Sequence, residues 1–297
     1  MRDFLKILAR TWGWMLVAGP ACATAQTPAP DVYLATLDGR AEHLRVGGVT
    51  NLTNRAGYDN QPFFLPDGSA LLYTSARDGQ TDIRRYDLYS GVDRALTRTP
   101  ESEYSPTPVP GSDRIAVVRV EADSTQRLWW MQPDGTLPGP VFEDIAPVGY
   151  QAWATSSTVA LFVLPSDSTP ITLQVTEIGG LGARIVAENV GRSLHRIPGT
   201  AAISFLQRST GTDTIMRLDP ATGAVSPVTA APGAIEDYTW TPDGTILTAR
   251  DTLLLTWRPR QGWQVLANLS AAGLRHMTRL AVSPDGSRLA LVADGRE

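Results

Sequence analysis

Few residues in this chain could do covalent or metal chemistry, and their spacing argues against most of it. The three histidines, His43, His195 and His276, form neither an H-x-x-x-H nor an H-E-x-x-H pair, so no single element offers two imidazoles to a zinc ion. Gly191-Arg192-Ser193-Leu194-His195 comes nearest to a nucleophile elbow, but it lacks the closing Gly, and a Ser beside a His still needs an orienting acid. No Walker loop or dinucleotide-binding Gly loop occurs. The one cysteine, Cys22, can form no intramolecular disulfide. The expectation is of no catalytic residue, no metal and no cofactor.

What remains is a set suited to recognition: Tyr58, Asp59, Asn60, Glu101, Glu103, Tyr104, Tyr150, Arg192, His195, Glu236, Asp237 and Tyr238. Tyr offers an apolar face with a polar tip, and Arg can grip a carboxylate with two parallel bonds, so the mixture fits a polar ligand or a peptide. The same groups could instead satisfy one another and ordered water. Glu101, Glu103, Glu236 and Asp237 have the oxygen chemistry for Ca²⁺, but their spacing matches no known loop.

These residues occupy corresponding stretches of a repeat. Phe63-Phe64-Leu65-Pro66-Asp67-Gly68-Ser69-Ala70-Leu71-Leu72-Tyr73 recurs as Tyr238 to Leu247 and as Leu280 to Ala290, with degenerate copies at Val109-Pro110-Gly111 and Ile197-Pro198-Gly199. The turn prolines fall at 66, 110, 198, 242 and 284, a period of about 44 residues. The double gap between 110 and 198 predicts a sixth copy near 154, where Ala152-Trp153-Ala154-Thr155-Ser156 has lost the turn but keeps its flanks. Pro presets φ, Asp bonds the backbone just beyond it and Gly accepts positive φ, so the motif makes a tight hairpin. Its aspartates are read as turn residues, not metal ligands.

Two further strand-like segments follow each hairpin, such as Asp82 to Leu88 and then Ala95-Leu96-Thr97. Others are Arg127 to Met131, Thr214 to Leu218, Ala183 to Val186 and Trp263 to Leu266. Four short strands per unit and six units predict an all-β, six-bladed β-propeller over residues 31–297. The sixth unit supplies only two strands before Glu297. Asp31 to Leu37 and Val49 to Thr53 should therefore add its outer pair and close the ring, with Asp38 to Gly48 as an insertion between them. Innermost strands would line the channel, placing the recognition set at one mouth. Trp129-Trp130 should send one ring between blades and the other outward.

The stretches Tyr58 to Gly68 and Tyr73 to Ile83, followed by Leu96-Thr97, resemble the TolB-like, WD-repeat-related propellers. That resemblance implies the propeller fold and a protein- or peptide-binding role in the bacterial cell envelope. TolB proper also carries an N-terminal α/β domain; only a few residues lie between the expected leader and the first strand here, so a Tol-system role is not carried over. Related propellers act as lids on prolyl-oligopeptidase-type hydrolases, but no hydrolase stretch follows.

Location is read from the first 25 residues. Arg2, Lys6 and Arg10, the apolar run 11–18 and the small residues ending Ala23-Thr24-Ala25 form a signal-peptide pattern, with 26–30 as a flexible lead-in. The run is too short to span a bilayer. Lipidation at Cys22 is the alternative, although Gly19-Pro20-Ala21 lacks the usual aliphatic residue. A net charge of −4 without a basic block excludes nucleic acid as the expected partner. Asn51-Leu52-Thr53 and Asn268-Leu269-Ser270 match a glycosylation pattern by coincidence. The expectation is a monomeric, periplasmic or secreted, non-catalytic propeller that binds an envelope protein or peptide; the alternative is a saccharide or small-molecule binder or lyase working from the axial mouth.

Overall fold

The computed structural model describes residues 30–136, 138–166 and 169–294. The expected leader, Cys22 and all but the last residue of the lead-in lie outside them. The chain forms six sheets of four antiparallel strands each, the blades of a six-bladed propeller. The innermost strands are Asp59–Phe64, Ser102–Pro108, Val148–Trp153, Val190–Arg196, Tyr238–Trp240 and Arg275–Val282. Each packs against the next around the channel, and Arg275–Val282 meets Asp59–Phe64 to complete the circle.

The core lies between blades. In the second strand of blade one, Ala70–Arg77, Leu71 and Tyr73 enter the cluster shared with blade six, while Leu72 enters the one shared with blade two. Ala116 and Val118 face blade three, and Ile115 and Val117 face blade one. A strand held between two neighbours has no wet face, which is why these segments read as continuous apolar runs despite the period-2 alternation of their side chains. Each of the six interfaces between blades holds one such cluster. Complete burial of a Leu such as Leu72 contributes about 2 kcal/mol.

The repeated turn works as its chemistry demands. Asp67 Oδ1 accepts the Ser69 N–H at 2.9 Å and Gly68 takes φ +70°; Asp285 with Gly286 at φ +76° repeats the arrangement. Blade three, which lost the motif, ties its turn with Thr155, whose Oγ1 accepts the Ser157 and Thr158 N–H groups at 3.2 and 3.0 Å.

Blade six is completed by Pro30–Asp38, paired with Arg288–Asp294 from Pro30 opposite Asp294 to Thr36 opposite Arg288, and by Arg45–Asn51 outside it. The expected insertion over 38–48 is shorter. A 3-10 turn at Ala41–His43 leads to Leu44, buried between blades five and six, and residues 45–48 already belong to the outer strand. The fourth strand of blade one is Asp93–Ala95 instead of 95–97: Leu96 drops into the core and the Thr97 hydroxyl accepts the Ile83 N–H at 2.8 Å. Trp129 packs against the cluster between blades one and two and donates Nε1 to Glu121 at 2.8 Å. Trp130, on the opposite face, lies under the Arg114 guanidinium at 3.7 Å from its ring centre. No helix among the described residues is long and apolar enough to cross a membrane.

Candidate functional site

Five residues before the turn proline, the innermost strands bulge into the channel. Pairing slips between Asn60 and Phe63, between Tyr104 and Thr107, and between Thr278 and Leu280. The residues in these slips, Gln61, Ser105 and Arg279, take φ +55°, +54° and +44°, values uncommon for side chains with a Cβ. A bulge re-aims a side chain that regular alternation would send elsewhere. At the same register, Ser193 and Asp237 represent blades four and five. These five residues line one axial cavity of about 90 Å³, together with Tyr150, Gln151, Arg192 and His195.

One side of the cavity is charged. Arg192 binds Asp237 through both Nε and Nη2, at 3.3 and 2.7 Å, and Arg279 Nη1 stands 3.3 Å from the same carboxylate. Arg279 also donates Nη2 to the Tyr150 hydroxyl at 2.8 Å, with its guanidinium 4.6 Å from that ring's centre. Burial alone would raise the Asp237 pKa, but Arg279 and Arg192 outweigh it and hold the carboxyl at about 2. Burial depresses His195 to about 4, with Asp237 only partly offsetting it, so the imidazole is neutral at pH 7. Its Nε2 lies 3.0 Å from Ser193 Oγ, and that oxygen also accepts the Tyr238 N–H at 3.2 Å. The Ser–His pair thus stitches blade four to blade five.

The other side is polar and uncharged. Gln61 Oε1 accepts from Thr74 Oγ1 and the Ser105 N–H at 2.8 and 2.9 Å. Gln151 Nε2 donates to the Ser105 carbonyl at 2.9 Å and to Thr107 Oγ1 at 3.2 Å. Gln151 Oε1 and Ser105 Oγ are buried with no protein partner.

The structure brings together only part of the expected set. Tyr58 lies close enough to feel Arg279, Tyr150, Tyr104 and Arg192, and burial pushes its phenol above the ordinary range. Tyr150, Arg192, His195 and Asp237 line the cavity itself. Asp59 is buried against Arg55 at 2.8 Å and Glu103 against Arg119 at 2.9 Å; burial raises both carboxyl pKa values. Asn60 Oδ1 accepts the neighbouring Gln61 N–H at 2.7 Å, and the Glu101 carbonyl accepts Gln80 Nε2 at 3.1 Å. Glu236 is exposed and paired with Arg208 at 2.9 Å. Tyr238 touches the cavity, but its ring belongs to the core between blades four and five and its hydroxyl donates to Ser204 at 2.9 Å.

Arg279, Gln151, Gln61 and Ser105 are absent from the sequence-derived set. A signal for three of them exists: Gln61, Ser105 and Arg279 precede their turn prolines 66, 110 and 284 by the same five residues that separate Asp237 from Pro242.

No family model matches the chain. An uncharacterized protein of Agrobacterium fabrum is 28% identical over 93 residues, which are 31% of this chain and 29% of that protein, so the match spans less than a third of the relative. Among solved structures, a protein designated TolB from Agrobacterium tumefaciens superposes with a TM-score of 0.69 at 15% identity, covering 89% of this chain and 98% of the other. The fold is that of a TolB-like propeller. TolB from Acinetobacter baumannii gives 0.58 at 13% identity over 90% of this chain and 65% of that one. An oligogalacturonate lyase in complex with manganese gives 0.57 at 17% identity over 84% and 80%. These superpositions show a shared fold alone. Among the described residues of this TolB-like chain, no three His, Cys, Asp or Glu side chains gather as a metal-binding group.

Proposed function

We propose that this chain is an exported, non-catalytic binding propeller that holds a peptide segment of an envelope protein partner in its axial mouth. One observation carries the reading: cations, aromatic rings and polar side chains from all six blades converge on a single cavity at the channel. Strand ladders of a rigid ring position them, and little reorganisation is then needed to bind. The Ser193–His195 pair does not compete with this reading, because the hydroxyl is engaged by the backbone of the next blade. TolB-like architecture and the signal-peptide pattern support the envelope setting.

An acidic saccharide is the second reading, favoured by the two guanidinium groups and by the fold shared with an oligogalacturonate lyase. Parallel peptide and glycan arrays, probed with the full chain and with an R192A/H195A variant, separate the two. Peptide spots that disappear in the variant are expected; retention on acidic glycans alone would replace the first reading with the second.

A further inference from the structure

The hydrogen bond between Arg279 and Tyr150 joins opposite sides of the ring. Inner strands follow one another around the channel in chain order, and Arg275–Val282 meets Asp59–Phe64, so blades three and six face each other across the axis. Tyr150 stands on the inner strand of blade three and Arg279 on that of blade six. Their 2.8 Å bond therefore crosses the cavity that both residues line, with the guanidinium 4.6 Å from the centre of the Tyr150 ring. Tyr58, which leads into the inner strand of blade one, is close enough to feel both groups. A bar of side chains thus obstructs the axis at the level where the inner strands bulge.

Strand ladders hold the ring, but only side-chain contacts hold this bar. The bulge carrying Arg279 at φ +44° aims its side chain into the channel, where Nη2 reaches Tyr150 and Nη1 stands 3.3 Å from Asp237. Asp237 does not depend on that contact, because Arg192 grips the same carboxylate through Nε and Nη2. Three arginines, Arg192, Arg208 and Arg279, are joined to three carboxylates, Asp213, Glu236 and Asp237. A turn of Arg279 away from Tyr150, with Nη1 kept on Asp237, would leave that balance intact and bury no unpaired charge. Its cost is one hydrogen bond and one ring contact, the scale at which an alternate state is populated at roughly 0.1–10%.

We infer that Arg279 is a gate on the axial cavity: bonded to Tyr150 it bars the channel, and turned away from Tyr150 it admits a peptide segment. For its occupant this rests on the peptide-binding reading above; the bar itself belongs to the free chain. Tyr150 is the latch, and its hydroxyl sets the fraction of molecules in which the gate stands open. The strands of the ring stay in place, and one side chain moves.

The test is Tyr150→Phe in the full chain, which removes the latch oxygen and keeps the ring with its edge contact to Phe162. In the free chain, modification by phenylglyoxal, a reagent for guanidinium groups, is followed residue by residue by mass spectrometry. Arg279 should react at least about fivefold faster in the variant, the size expected for losing one hydrogen bond to a charged group, while Arg192, still held by Asp237, reacts at an unchanged rate. Equal Arg279 rates in the two forms would overturn the gate, and so would the same acceleration at both arginines, which marks general loosening. In the bound state, a peptide retained by the unmodified chain on the array is labelled with a fluorophore and mixed with each form by stopped flow. Association should quicken by a similar factor, with dissociation changing less. Arg279→Ala, which removes the bar outright, should associate at least as fast, a check that holds if Tyr150→Phe fails to fold. Unchanged or slower association in whichever variant folds would overturn the gate while leaving peptide binding intact. If the array retains no peptide, the peptide-binding reading falls, and the phenylglyoxal rates alone decide whether the gate opens.

Discussion

Asp237 balances two guanidinium groups in the channel, so its loss would leave buried positive charge without a counter-ion. Asp237→Asn should destabilise the protein by about 3 kcal/mol or more, measured by equilibrium denaturation, because breaking a buried pair costs more than the pair contributes. The pH dependence follows from the two depressed pKa values. The unfolded chain protonates His195 near 6.5 and the folded protein only near 4, so stability is full above pH 6.5 and falls as pH drops toward 4, by up to about 3 kcal/mol. Asp237 adds a second decline between its ordinary 3.8 and about 2. Asp59 and Glu103, raised by burial, act in the opposite sense, so the comparison with His195→Gln isolates the first limb: that variant should show a flatter profile between pH 6.5 and 4. At this scale the sequence was only partly legible. Arg192, Asp237 and Tyr150 belong to the stretch that the repeat picks out, whereas Gln61, Ser105 and Arg279 share the register of Asp237 but reach the channel through bulges that simple alternation does not foresee.

Blades are the elements on which this chemistry hangs, and most of their layout can be read from the sequence. Pro-Asp-Gly turns, apolar second strands and the period near 44 residues give the count and the closure. Edges were less legible. Residues 45–48 read as part of an insertion because they lie between the segments matched to third and fourth strands, yet Arg45, Val46 and Gly47 pair with Asp38, Leu37 and Thr36 in an outer strand. Leu96 and Thr97 read as part of a strand because they follow the third strand of the blade as a strand-like segment, though they serve the core and a side-chain bond. Thr155→Val, which removes the hydroxyl that replaces the turn motif of blade three, should cost about 1 kcal/mol in denaturant midpoint experiments. Deleting residues 30–38 would strip Arg288–Asp294 of its outer partner, leaving only Arg275–Val282 beside it, and expose a long apolar edge. The truncated chain should elute as aggregates in size-exclusion chromatography with light scattering, where the intact chain elutes as a discrete species.

The ring holds six inner strands around one axis, and the candidate site lies where they converge. Cores between blades stiffen the ring, so a ligand at the mouth meets a preformed site instead of creating one. Binding should then leave the outer strands unchanged and quiet the inner ones. Hydrogen–deuterium exchange of the full chain, with and without a peptide selected for binding, tests this directly. Slower exchange at Asp59–Phe64, Ser102–Pro108, Val148–Trp153, Val190–Arg196 and Arg275–Val282 is the predicted result. Protection confined to outer strands such as Arg184–Glu188 or Gly262–Asn268 would contradict an axial binding site.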